Sequence, residues 1–223
     1  LRPQGILTYI ADRWLIEAAR RLEAPLADTA LSEVEVPLRT TLDSDAVGEL
    51  AAEHLSGLGL TQFGYCGVRG RAASAQRETA LAAALARRGH RLRAFSQGVA
   101  EGESRMEPLV RWLRTLPKPV GILAVDDKLG ERVLTACRWA GLEVPGQIAV
   151  LGIGDDELMC EVSWPSLSSI QCPTSRLGYE AAEMLDRVMH GQRLVERIRE
   201  VAPTGVAVRG STDTLAVADP LVQ

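Results

Sequence analysis

The chain is poor in the residues that usually announce chemistry. Aromatic side chains make up only 4% of its 223 residues. The three histidines, His54, His90 and His190, lie far apart without metal-ligand spacing, each expected near a helix end or on a surface, so none supports a hydrolytic site. The four cysteines, Cys66, Cys137, Cys160 and Cys172, form no CxxC pair. Cys66 and Cys137 fall in apolar runs and read as buried free thiols of a reducing compartment, with zinc ligation a remote alternative. No apolar run approaches the roughly 20 residues that a membrane span needs. No excess of basic residues is present either: the net charge of −4 argues against broad phosphate-backbone binding by this chain, and leaves room for a separate DNA-binding segment. There is no phosphate-cradling GxxxxGK[ST] loop, no internal repeat and no low-complexity linker. The first residues, "LRPQGILTYI", lack a methionine, which reads as a fragment, a processed chain or an incomplete record.

What is present is a regular alternation. Apolar extended runs at 5–10, 36–42, 62–68, 119–125 and 147–153 alternate with amphipathic stretches at 14–22, 45–59, 74–89, 105–116 and 127–142. "RLRAFS" and "SLSSI" read as further strands, 175–191 as a helix, and "REVAPTGVAVRGST" as one extended segment. Uniformly apolar strands between helices predict an α/β fold with doubly wound parallel sheets covered on both faces. Such sheets bind ligands beyond the carboxyl ends of their strands. That directs attention to the loops after residues 42, 68, 125 and 153.

Two of these loops are acidic. In "VDDKLG", Asp127 suits a helix N-cap, while Asp126 or Asp127 could instead present a carboxylate to ligand hydroxyls. In "GIGDDEL", a magnesium site would need more oxygen ligands, and the GxG lacks the third glycine and the helical pattern of a dinucleotide site. A glycosidase acid pair is unsupported, because adjacency in sequence does not place two carboxylates face to face. Arg77, early in its helix, is either a solvated arginine or a fork for a carboxylate or vicinal hydroxyls. Ser74, Ser163 and Cys160 have no neighbouring base in sequence, so binding is favoured over catalysis and no cofactor or metal is expected. Trp112 and Trp139 are expected in the helix cores, and Trp164 could approach the cleft.

In order along the chain, "DSDAVGELAAEHLSGLGLTQFGYCG", "GILAVDDKLGERVLTACRWAGLEVPGQIAVLGIGDDEL" and "SLSSIQCPTSRLGYEAAEMLDRVMHGQ" resemble the effector domain of lactose-repressor (LacI/GalR) type regulators. The tail "RGSTDTLAVADP" resembles the junction into an AraC-type DNA-binding domain in the xylose operon regulator branch of that family. The resemblance implies a two-lobed, type I periplasmic-binding-protein-like fold that begins here within its first lobe. Lobe one would comprise 1–42 and 171–198, lobe two 43–170 and 199–212, and 213–223 would lead to a DNA-binding domain outside the chain.

The same resemblance implies a cytoplasmic, dimeric transcription regulator rather than an enzyme, with a small effector, a pentose or other sugar, between the lobes. It reaches DNA through the further domain and involves no membrane. Carried over residue by residue, Arg77 matches the arginine that bonds sugar hydroxyls, and Asp126 and Asp127 fall in a loop that supplies a polar contact. Two positions depart from the pattern. Gly154 stands where the family places a ligand-binding acid, and Ala73 near where the branch tends to place a stacking tryptophan. Either Asp155 replaces the lost carboxylate or the ligand is not xylose. An extracytoplasmic solute-binding protein of the same fold is the alternative reading, and a sugar-modifying enzyme a remoter one.

Overall fold

Short, uninterrupted apolar runs make the inner strands, and helices with one buried seam cover them. The computed structural model describes residues 3–9, 11–29, 33–97 and 106–214. The first elements are β1 (Ile6–Thr8), α1 (Arg13–Arg21), β2 (Leu26–Asp28), β3 (Leu38–Leu42) and α2 (Ser44–Gly57). Next come β4 (Phe63–Val68), α3 (Ala72–Arg87), β5 (Leu92–Gln97), α4 (Met106–Thr115), β6 (Val120–Ala124) and α5 (Asp127–Ala140). The chain continues with β7 (Ile148–Gly154), α6 (Glu157–Val162), β8 (Ser168–Gln171), α7 (Thr174–Met189), β9 (Ile198–Val201) and β10 (Gly205–Ala207). Among the described residues no helix is long and apolar enough to cross a membrane.

Two compact units result. One holds the described residues of Leu1–Asp43 and Pro173–Pro203, the other those of Ser44–Cys172 and Thr204–Gln223. The first unit carries a parallel sheet in the order β1-β2-β3-β9. The second carries six strands in the order β10-β8-β7-β6-β4-β5, parallel except for β10, which runs antiparallel to β8. The all-parallel expectation therefore holds for the first sheet, while the second takes an antiparallel edge strand.

Three local expectations are corrected. The segment 199–212 is not one extended run: β9 pairs with β3 in the first unit and β10 with β8 in the second, so 199–201 leave the lobe expected for them. The chain breaks pairing at Ala202–Pro203, where proline has no N–H to donate. The three-residue β2 was not anticipated behind Pro25, and its residues are wholly buried. Trp139 lies 64% exposed, contrary to its expected core position. The buried face of α5 runs through Leu129, Val133, Leu134 and Cys137. A residue two places beyond Cys137 is rotated roughly 200° around the helix, onto the opposite side. Trp112, by contrast, does pack inward and stacks on Phe95 with ring centroids 5.3 Å apart.

In the second unit β4, β6 and β7 are buried along nearly their whole length. On one flank α2 meets α3 so closely that a Cβ on Gly48 would lie 2.5 Å from the Ala80 carbonyl carbon. Only glycine permits that approach. The strand order reverses at β4, which has β5 on one side and β6 on the other. A reversal of this kind opens a crevice at the carboxyl ends of the two diverging strands.

Candidate functional site

The carboxyl ends of β4, β6, β7 and β8 form a rim in the second unit, and the four residues singled out in the sequence all lie along it. They occupy it in different ways. Arg77, on the second turn of α3, reaches across the point of strand reversal and donates from Nη1 to the Val125 carbonyl, 2.5 Å away. Ser74 holds the start of that helix in place: its hydroxyl accepts from the Val68 amide at 2.9 Å, and its carbonyl accepts from Tyr65 at 2.9 Å. Burial pushes the Tyr65 phenol up to about 12, so it remains a neutral donor. Ser74 is thus engaged in positioning α3 rather than in nucleophilic chemistry.

The acidic pair at the start of α5 exchanges the expected roles. Asp126, not Asp127, is the N-cap: it is extended, exposed, and accepts from the Leu129 amide at 2.7 Å. Asp127 is 4% exposed. It turns inward and spans two neighbouring segments, accepting from the Ser169 hydroxyl at 2.5 Å and from the Asp156 amide at 2.9 Å. Burial raises the Asp127 pKa against the lowering effect of these two donors, and the neighbouring Asp126 and Asp155 raise it further. Its carboxylate explains the departure at Gly154. A side chain there would bring its Cβ to 2.8 Å from Asp127 Oδ2, at a φ of 136° that only glycine adopts readily. Gly152 is restricted in the same way, its added Cβ meeting Asp127 Oδ1 at 2.2 Å. An acid at 154, as the resemblance places it, would meet both a backbone conformation that favours glycine and the Asp127 carboxylate of the neighbouring β6–α5 connection.

Asp155 follows in a left-handed conformation, φ 59°, and its amide donates to the Ser169 hydroxyl at 3.0 Å. A non-glycine residue at positive φ is held there by its surroundings. Its Oδ2 accepts from Gln171 Nε2 at 3.0 Å, at the end of β8. Its Oδ1 lies 2.9 Å from Arg209 Nη1, an ion pair without hydrogen-bond alignment, so this buried oxygen has no hydrogen bond among the described residues. The segment after β7 is also helical, which the sequence reading did not expect. Asp156 caps α6 by accepting from Met159 at 3.0 Å, and six residues are too few to display a helical period.

No two of the four singled-out residues are hydrogen-bonded to each other, yet they share one electrostatic neighbourhood. Burial raises the pKa of the Cys172 thiol, Arg77 lowers it and Asp127 raises it, which ties α3, α5 and the end of β8 together. Gln171, Ser169 and Arg209 were missed by sequence reasoning. Gln171 and Ser169 follow from the strand "SSIQ" once its register beside β7 is known, whereas nothing local in "AVRGST" signals the reach of Arg209 to Asp155. Trp164 is 77% exposed and lines a hollow of about 470 Å³ with Glu131, Arg138 and Val162, on the α5 and α6 side. It is not part of the rim network. Among the described residues no group of three His, Cys, Asp or Glu side chains could hold a metal ion. The rim offers charged forks, carboxylate oxygens and an amide, which suits a neutral ligand rich in hydroxyls.

The sequence profile of the periplasmic binding protein-like domain matches residues 52–212. The xylose operon regulatory protein of Haemophilus influenzae is 31% identical over 186 residues, covering 81% of this chain and 48% of that protein. That of Escherichia coli K12 is 27% identical over 229 residues, covering 98% and 58%. Among solved structures, the xylose-binding transcription activator xylR superposes with a TM-score of 0.80 at 27% identity, covering 96% of this chain and 60% of that one. The transcriptional regulator CelR in complex with cellobiose gives 0.74 at 21% identity, covering 93% and 65%. The chain spans about half the length of the curated relatives it matches.

Proposed function

We propose that this chain, a member of the periplasmic binding protein-like domain family, is the effector-sensing part of a sugar-responsive transcription regulator. The observation that supports the reading is a set of groups whose chemistry suits hydroxyls, Arg77, Asp155 and Gln171, at the carboxyl ends of the sheet, in a chain resembling xylose operon regulators along 98% of its length. Arg77 and Asp155 contact the ligand, a pentose or related sugar, with Asp126 at the edge and Asp127 shaping the loop beneath. The two compact units correspond to the two lobes of such a sensor. Residues 213–223, of which 215–223 lie outside the described residues, resemble in sequence the junction to a DNA-binding domain of AraC type, and the protein acts in the cytoplasm without enzymatic turnover. Sugar must favour one conformation over another to alter DNA binding, since equal affinity for both transmits nothing.

A homodimer is supported by the exposed apolar side chains Leu158, Val162 and Trp164 on and beside α6, with Trp139 on α5. Large exposed apolar side chains gathered in one region mark interaction surfaces more often than free surface.

Thermal denaturation of the full-length protein against a panel of pentoses and hexoses tests the reading. A sugar at a hundred times its dissociation constant stabilises by about 2.7 kcal/mol. Arg77→Ala is expected to weaken affinity about tenfold or more, the loss of a charged hydrogen-bond donor. A panel with no shift refutes the sugar reading, and an undiminished shift in the variant removes Arg77 from the site.

A further inference from the structure

Arg209 stands outside every role described so far, yet it joins three parts of the second unit. Its side chain, 13% exposed, donates from Nε to Glu161 on α6 at 2.6 Å and from Nη1 to the Leu167 carbonyl at 3.1 Å. The same Nη1 lies 2.9 Å from Asp155 Oδ1, so one nitrogen serves two acceptors and aligns with only one. Its backbone belongs to the segment by which the described chain ends. There Arg209 N donates to the Ser168 hydroxyl at 2.8 Å and Ser211 N to the Ser166 carbonyl at 2.9 Å. Ser211 and Thr212 are fully buried. Thr212 donates to Ser168 Oγ at 2.7 Å, and His54 Nε2 approaches its hydroxyl at 3.1 Å.

We infer that Arg209 is a positioning residue that ties the Asp155 carboxylate to the segment Arg209–Thr214, so that capture of Asp155 by a ligand's hydroxyls loosens that segment. The ligand part rests on the sugar-sensing reading above; the tie itself does not. Among the described residues, Asp155 and Glu161 are the two acids paired with this guanidinium. Asp155 holds it against the sheet, whereas Glu161 is 59% exposed and draws it towards α6. A ligand hydroxyl that donates to Oδ1 satisfies the buried carboxylate oxygen that lacks a hydrogen bond among the described residues. It also competes with Arg209 for that oxygen and weakens the attraction to Asp155, so that the guanidinium shifts towards Glu161 and pulls on its own backbone.

Amide hydrogen exchange on the full-length protein tests this. Asp155→Asn keeps the shape and tolerates the left-handed backbone, since asparagine visits that region readily. In the absence of sugar it is expected to speed exchange at residues 209–214 about fivefold, the effect of one hydrogen-bond-sized contact, with α2 and α3 unchanged. Arg209→Lys keeps a charge but loses the fork, and should do the same. The double variant should add nothing beyond the larger single effect, because both changes break one tie. Unchanged exchange in Asp155→Asn, or fully additive effects in the double variant, overturns the inference. With D-xylose, L-arabinose or D-glucose at saturation, the wild-type protein should show the same loosening. A sugar that binds without it also overturns the inference. If none binds but Asp155→Asn still loosens the segment, the tie stands and the sugar reading falls.

Discussion

Two carboxylate–arginine pairs, one in each unit, use the same groups to opposite effect. Asp28 at the end of β2 is fully buried and meets Arg39 of β3 through a closed fork, Nε to Oδ1 at 2.9 Å and Nη2 to Oδ2 at 3.2 Å. Arg39 also donates to the Val34 carbonyl at 2.9 Å. Asp155 and Arg209 come equally close, yet one oxygen is left without a hydrogen bond and the arginine is divided among three acceptors. A closed fork fixes a structure, because neither partner has capacity to spare. An open one at a strand's carboxyl end keeps an acceptor in reserve. Asp127 is a third case, a buried carboxylate held by neutral donors alone.

Removing one partner from each arrangement should therefore give graded losses. Asp28→Ala takes the buried fork partner from Arg39 and should cost about 3–5 kcal/mol in chemical denaturation; a loss under about 1 kcal/mol would erase the contrast. Asp127 acts through pH. Its folded pKa lies above the ordinary 3.8, so the native state holds the proton longer and stability falls as pH rises from that value through the raised one. The slope in that window approaches at most about 1.4 kcal/mol per pH unit. Asp127→Asn should flatten it, and an unchanged slope would mean that other groups set it. The smallest effect belongs to Asp155→Asn, which keeps an acceptor for Gln171 and leaves Glu161 on Arg209. Its cost should stay below about 1 kcal/mol, and a loss as large as that at Asp28 would make the open pair structural after all.

How much of the fold is legible in the sequence follows from the range of the forces involved. The inner strands of the second unit announce themselves because β4, β6 and β7 are buried on both faces and so read as continuous apolar runs. Helices α3 and α5 carry their ends in sequence, with Gly89 and Gly141 at positive φ just past them. Short elements leave no such trace, which is why β2 and α6 went unseen. The candidate residues all fall along the rim at the strands' carboxyl ends, but what each side chain bonds to there depends on neighbours distant in sequence. By sequence Asp126 and Asp127 are equally good caps; the Asp156 amide and the Ser169 hydroxyl, both beyond β7 in the chain, draw Asp127 inward. Arg209 was invisible for the same reason, since its partners lie 42 to 54 positions earlier in the numbering, at Leu167, Glu161 and Asp155.

The pairing of β3 with β9 has a consequence for how the protein is made. Leu38–Leu42 is made before its partner Ile198–Val201, with the strands β4 to β8 of the other sheet encoded between them. At roughly 5–20 residues per second on the ribosome, β3 waits on the order of ten to thirty seconds with one edge unpaired. Until β9 arrives, the nascent chain must keep that edge of β3 from pairing with other polypeptides.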